Sequence, residues 1–385
     1  MTRELETWLR QDFVELNTEL EEAYFAARSD VLVRPDLEDA KQELVRGGEL
    51  IARVDPTSDR YRLLGAVGLY LAACHRHGVE PPRPAWTLAQ LLGSSLGVAP
   101  RYVFAHQSIH NPAEQGTYRR FTSLADEQVF VTYNGLAVLA YQRAAEALRR
   151  IPPMGVSHPM SAYLFEQARA SLADVLRFNR TLAETLDADR FYFNIRPYFR
   201  PHRVGEMVHR GVNAGDFAAV NEIDLLLGLA SAKDPFYQSV VAEKYAFVPP
   251  EDQPLLRQAM GERSLLDQFL SEPVSAQLRT NGDLFLAVCR AHGAAYAFHH
   301  HRLVKPFLEA KATGEDVTAS GPPLSVVMAG LDRLRRLRTS YPDLTRLREL
   351  PGPAEWSGSA GGRARGSSAA DHATPGPASA TNAGP

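Results

Sequence analysis

Cysteine is almost missing from this sequence: 385 residues carry two, Cys74 and Cys289. Two thiols build neither a disulfide framework nor a cysteine metal site, and they suit a reducing compartment. An excess of basic charge is missing as well. Lys and Arg number 42 against 45 Asp and Glu, for a net charge of −3. That balance gives no electrostatic argument for nucleic acid or an anionic membrane surface as partner. No run approaches the ~18 apolar residues of a membrane span. The N-terminal "MTRELETWLRQDFVELNTELEE" is acidic and amphipathic, without the basic and apolar regions of a signal peptide. These absences together lead to the expectation of a cytoplasmic protein. Strand-like alternation bounded by turns is scarce, and no repeat with a period of 20–50 residues is found.

What is present is helical periodicity. In "ELETWLRQDFVELNTELEEAYFAA", Leu5, Trp8, Leu9, Phe13, Leu16 and Leu20 fall near one face at spacings of three and four. "SDRYRLLGAVGLYLAACHRHG", "DEQVFVTYNGLAVLAYQRAAEALRR" and "MSAYLFEQARASLADVLRFNRTLAETL" repeat the pattern, with Asp, Ser or Thr near their starts and Gly or Pro near their ends. With 45% hydrophobic residues there is enough to bury a large core. The expectation is an all-α fold, one large helical domain over residues 1–350. From about residue 351 the composition turns to Gly, Ser, Ala and Pro, so residues 351–385 are expected to form a disordered tail. Two stretches, residues 102–127 and 190–216, are less regular and rich in Arg, aromatics, Pro and Gly. Connections carrying such side chains are more often sites than plain linkers.

The run "AAYAFHHHRLVKPFLEA" places His299, His300 and His301 inside an apolar helical segment. Successive helical residues point about 100° apart, so the three imidazoles cannot converge on one metal ion. The i, i+4 histidine pair of a helical zinc site is absent. A single axial ligand to a haem iron needs only one imidazole on an apolar face. His300 has Val304, Phe307 and Leu308 at +4, +7 and +8. His301, with Val304 and Leu308 at +3 and +7, remains open as well, and Pro306 introduces a bend. A surface or hydrogen-bonded histidine without a ligand is the competing reading. In "GDFAAVNEIDLLLGL", Asp216 reads as an N-cap. Phe217, Val220, Asp224 and Leu227 share a face, which puts Asp224 at the edge of that face or buried against a cation.

Five segments in order, "HRHGVEP" (75–81), "HNPAEQGTYRRFTSLADE" (110–127), "FYFNIRPYFRPHRVG" (191–205), "AFHHHRLVKPFL" (297–308) and "TASGPPLS" (318–325), resemble the histidine-ligated haem-dependent oxygenases. That superfamily includes the tryptophan and indoleamine 2,3-dioxygenases, and the resemblance is nearest to the monodechloroaminopyrrolnitrin synthase family. It implies a helical domain of the dioxygenase type, haem b as cofactor, O₂ as co-substrate and an external electron donor. The family typically carries an arginine three residues before the ligand, where this chain has Ala297. The downstream pattern favours His300 as iron ligand, ahead of His301 and His299. In the family, F-[FY]-x-x-x-R lies on the distal side of the haem, which assigns Phe191 and Tyr192 to the pocket wall and Arg196 to the substrate carboxylate. A guanidinium fork matches a carboxylate bidentately. The loop "TASGPPLS" resembles a loop that closes over substrate, with Thr318, Ser320 and Gly321 as candidate contacts. Its double proline departs from the dioxygenase pattern.

The resemblance implies oxygenation of a free L-amino acid in specialised metabolism. Asp224 and Glu222, if they face the pocket, would suit a second substrate amine, which tilts the expectation toward N-oxygenation of the lysine side chain to a nitro group. Tryptophan, tyrosine or a derivative is the alternative substrate. A non-catalytic haem-binding helical protein is the alternative of another class. A homodimer is left open.

Overall fold

Local chemistry fixes where each helix starts and stops. In the computed structural model, which describes residues 3–28, 35–55, 57, 59–114, 116–306 and 324–347, the chain opens with α1 (Arg3–Arg10), α2 (Asp12–Ala27), α3 (Pro35–Ala52), α4 (Arg60–His77) and α5 (Arg83–Leu96). The amphipathic N-terminal run is interrupted at Gln11. Asp59 caps α4 by accepting from the Arg62 N–H at 3.1 Å. Gly78, at φ 68°, closes α4 in the left-handed conformation that glycine adopts without strain. Nearly every side chain of α4 is buried, so it forms the centre of the N-terminal layer, against Leu5, Trp8, Leu9 and Phe13.

A second layer is built on α7 (Ala125–Arg149) and α8 (Pro159–Thr185), which follow the short α6 (Phe104–Gln107) and pack along each other. Phe130, Ala137, Tyr141, Ala144 and Leu148 recur on the buried face of α7 at helical spacing. After α9 (Ala188–Arg190), α10 (Ala218–Leu226) packs on α7. The chain then runs through α11 (Pro235–Tyr245), α12 (Asp252–Gly261), α13 (Leu265–Ser271) and α14 (Ala276–Phe298), the last lying on α8. A final helix, α15 (Leu324–Thr339), packs on α14. The described residues are thus mostly helical, as expected. The exception is a hairpin of β1 (His202–Val204) and β2 (Met207–His209), with His202 opposite His209 and Val204 opposite Met207. Asp216 does not cap α10. Its carboxylate is taken by Arg210 at 2.9 and 3.0 Å and by the Asn213 N–H, and Phe217 occupies the cap position.

Two helical segments widen into π turns, Phe191–Ile195 and His299–Val304. Each is followed within two residues by a proline, Pro197 or Pro306. Proline donates no N–H, and in an α-helix its ring would strike the carbonyl four residues back. Each segment closes on a wider i, i+5 bond just before its proline: Arg196 donates to the Phe191 carbonyl and Lys305 to that of His300. No helix of the described residues is long and apolar enough to cross a membrane. The expected loop contacts Thr318, Ser320 and Gly321, and the expected tail, lie outside the described residues.

Candidate active site

A cavity of about 620 Å³ opens where three apolar clusters meet. The apolar cluster centred on the N-terminal layer reaches it through Phe130 of α7, Leu182 of α8 and Phe199. The α7–α8 layer contributes Phe104, Tyr141 and Phe217. A third cluster around α10, α11 and α15 adds Tyr296 and Leu334, with Phe236 and Val240 packed against it. The volume and the apolar lining are those of a site for an organic ligand or cofactor.

Of the three histidines, His299 and His300 line this cavity, while His301 is exposed and does not. His300 is 1% exposed. Its Nδ1 is buried with no hydrogen-bond partner, and its Nε2 lies 3.7 Å from Asp332 Oδ1 on α15. Its ring stacks on Tyr296 at 6.3 Å. One unpartnered nitrogen, with a carboxylate near the other, is the environment of a metal-ligating imidazole, whose second nitrogen is commonly oriented by an acid. His299 opens onto the cavity. Burial, then the neighbouring His300 and Arg338, pushes its pKa down to about 4, so it is neutral at pH 7. Together with the apolar walls, these imidazoles fit a haem, whose iron needs one neutral nitrogen donor and whose ring needs apolar cover.

The π turn after α9 carries the second group. Phe191 lines the cavity and packs 4.8 Å from Phe130, which is 6.1 Å from Phe199. Arg196 also lines the cavity. Tyr192 does not. Its ring lies 5.2 Å from the Arg196 guanidinium, so it supports the arginine and is no part of the wall. The turn is anchored from behind. Buried Arg76 donates to both oxygens of Glu21 at 2.7 and 2.9 Å and to the Phe193 carbonyl, and Asn194 donates to Glu21 as well. The motif segments 75–81 and 191–205 meet through these bonds, which gives the first of them a positioning task.

The two acidic candidates are engaged elsewhere and are not among the residues lining the cavity. Asp224 is 1% exposed and accepts from Arg338 Nη2 at 2.7 Å, His292 Nε2 at 2.8 Å and Tyr237 Oη at 2.8 Å. Although burial alone would raise it, Arg338 and His292 hold its carboxyl well below the usual range. Glu222 sits 3.3 Å from Arg149 without an aligned hydrogen bond. Burial pushes it up to about 7, with Arg149 opposing and Asp252 adding. The Arg338 guanidinium lies 4.2 Å over the Tyr296 ring, which stacks on His300.

Sequence reasoning passed over Arg338 and Lys244, both on the cavity wall, and Asn134 and Asn179, polar residues on otherwise apolar helix faces that also line it. The asparagines had a signal, since a polar residue within an apolar stripe needs a reason. Arg338 had none, because its partner is 114 positions away.

The model of one family, described as monodechloroaminopyrrolnitrin synthase PrnB, matches residues 1–350. With the fold and the histidine-lined cavity, that match makes the chain a member of the monodechloroaminopyrrolnitrin synthase PrnB family, and so an enzyme of the haem-dependent oxygenase class.

Proposed function

We propose that this oxygenase acts on a free aromatic L-amino acid, with the substrate carboxylate on Arg196 and the ring against Phe130, Phe191 and Phe199. The observation that carries the reading is the chemistry of the cavity wall. An arginine and several aromatic rings face it, whereas Asp224 and Glu222, which would have met a side-chain ammonium, do not. Among the described residues the acid that reaches the wall is Glu243, with a side chain 55% exposed and 3.4 Å from Arg210. A lysine ammonium in such a pocket would lose its hydration without a dedicated counter-ion. The coarse assignment, a haem-dependent oxygenase of an amino acid in secondary metabolism, follows from the family. The aromatic substrate replaces the expected lean to lysine N-oxygenation.

His300 is the proposed iron ligand, supported by its orphaned buried nitrogen and the carboxylate near the other. His299 is the competitor. Bound there, haem b supplies the oxygen chemistry with electrons from an external donor, and imidazole gives it less electron push than a thiolate would. The chain does the rest. Arg196, braced by Tyr192 and by the Glu21–Arg76–Asn194 network, fixes the carboxylate end of the substrate. The aromatic walls exclude water and set which face of the ring is presented.

Difference spectra of the ferric protein titrated with tryptophan, tyrosine and lysine test the substrate class. Tryptophan or tyrosine should perturb the Soret band, and lysine should leave it unchanged. The reverse result returns the assignment to lysine. Single replacement of His299, His300 and His301 by Ala, read by haem content, tests the ligand. Loss only in His299→Ala moves the iron to that residue, and retention in all three removes histidine ligation altogether.

A further inference from the structure

The cavity has a second cationic place that the substrate reading does not use. Lys244, next to the end of α11, lines the cavity from the wall built on the third apolar cluster, whereas Arg196 belongs to the N-terminal side. Its neighbours are charged but already matched. Asp216 is held in two bonds by Arg210, and Asp224 by Arg338. Among the described residues the Lys244 ammonium has no carboxylate within 4 Å, and its hydrogen bond goes to the neutral Asn221 Oδ1 at 3.2 Å. Burial pushes its pKa down to about 8, with Arg338 adding to the effect and Asp216 and Asp224 opposing it. The backbone leaves room at this point. A Cβ at Gly215, which also lines the cavity, would stand 3.3 Å from the Lys244 Nζ. A half-buried ammonium with spare donors, facing a cavity and matched only by an amide, is stabilised by an anion placed there.

We propose that Lys244 receives a propionate carboxylate of the haem. The proposal rests on the haem reading above and extends it. A macrocycle held by one imidazole still has to place its two carboxylates, and Arg196 is assigned to the substrate. The ammonium supplies a charge-assisted hydrogen bond on a wall distinct from that of Arg196. The same chemistry would suit the carboxylate of a bound amino acid, and the experiment separates the two sources.

Haem transfer from the holoprotein to excess apomyoglobin is timed for wild type, Lys244→Met and Lys244→Arg. Each is loaded either with haem or with haem dimethyl ester, in which both propionates are blocked. Loss of one charge-assisted hydrogen bond should speed haem release by about 10- to 100-fold in Lys244→Met. Lys244→Arg, which keeps the charge, should stay within a few-fold of wild type. The ester should leave wild type faster than haem does, and Lys244→Met should add little to its release. Equal acceleration for haem and ester would mean that the substitution disturbs the fold, which overturns the proposal. Unchanged haem release also overturns it. So does unchanged release with weakened tryptophan binding in the Soret titration, which would give Lys244 to the substrate. If wild type carries no haem at all, the failure lies with the haem reading and not with Lys244.

Discussion

Asp224 can be tested as a structural anion against its alternative as a substrate group. Its carboxylate accepts three nitrogen–oxygen contacts from Arg338 between 2.7 and 3.0 Å, one from His292 and one from Tyr237. Both charged partners are closed from solvent, at 1% and 2% exposure. The network ties α10 to α11, α14 and α15, so it fixes the helices that carry the histidines. Arg338→Met leaves the buried carboxylate with His292 and the Tyr237 hydroxyl as partners, and Asp224→Asn leaves a buried guanidinium. Removing one partner of a buried pair costs about 3–5 kcal/mol, a large share of the ~5–15 kcal/mol that holds a protein folded. The double variant Asp224→Leu/Arg338→Met removes both charges and should regain most of the loss, because hydrophobic replacement of a whole pair is often neutral. Urea unfolding of the haem-free protein, followed by far-ultraviolet circular dichroism, measures wild type, Asp224→Leu, Arg338→Met and the double variant, the four corners of the cycle, with Asp224→Asn beside them. The reasoning is refuted if Asp224→Asn loses less than about 1 kcal/mol while abolishing turnover. That pair of results would mean the carboxylate serves the substrate after all.

Arg196→Ala should weaken tryptophan or tyrosine binding by about 2–5 kcal/mol and Arg196→Lys by less, with haem content unchanged; normal affinity in Arg196→Ala would remove it from the site. Tyr192→Leu should weaken substrate binding by about 0.5–2 kcal/mol through loss of the ring beneath the guanidinium, while Tyr192→Phe should not, as read from the same titrations. His299, held near 4 in the folded chain against an ordinary 6.5, binds its proton first in the unfolded state. Its contribution is therefore complete above pH 6.5 and is lost as pH falls toward 4. Replacing it by Leu should flatten the acid side of the haem-free stability profile by up to about 1.4 kcal/mol per pH unit, and an unchanged slope would show that His299 is not neutral in the fold.

The helical class was legible because apolar spacing is a local property, and α7 and α8 carry it in the open. The hairpin β1–β2 was not, since three-residue strands leave no alternation to detect. The histidine run and Arg196 were legible as chemistry out of place in an apolar context and through resemblance. Their surroundings were not. Asp216 looks like a cap in sequence, but Arg210 claims it from six residues upstream. Asp224 reads as an edge residue, or as an acid buried against a cation, and the cation is a guanidinium 114 positions later that no local pattern points to. Lys244 has no local oddity, and only the pairing of its neighbours shows that its charge is unmatched.

The three adjacent histidines become intelligible through the backbone that carries them. In a regular α-helix each successive side chain turns about 100°, and His299 and His300 would face distinct directions. The π turn at His299–Val304 lies just before Pro306, and both histidines line the cavity wall, along with Tyr296, Leu303 and Val304. One imidazole is then closed against Tyr296 with Asp332 near it, and the other opens to the cavity. This divides the work that one residue could not do. On the proposed ligation, the iron needs a nitrogen with a free lone pair on a fixed ring, and burial and stacking on Tyr296 fix the ring of His300. The neighbour's neutrality matters in its own right, because a protonated His299 would put a charge on an otherwise apolar part of the cavity wall. Replacing Pro306 by Ala relieves the constraint that the widened turn answers. If the π turn depends on that proline, the α register should return and rotate His299 or His300 off the wall, with a shifted Soret band and weaker haem retention. An unaltered spectrum in Pro306→Ala would mean that packing of α15 against α14, and not the proline, holds the turn open.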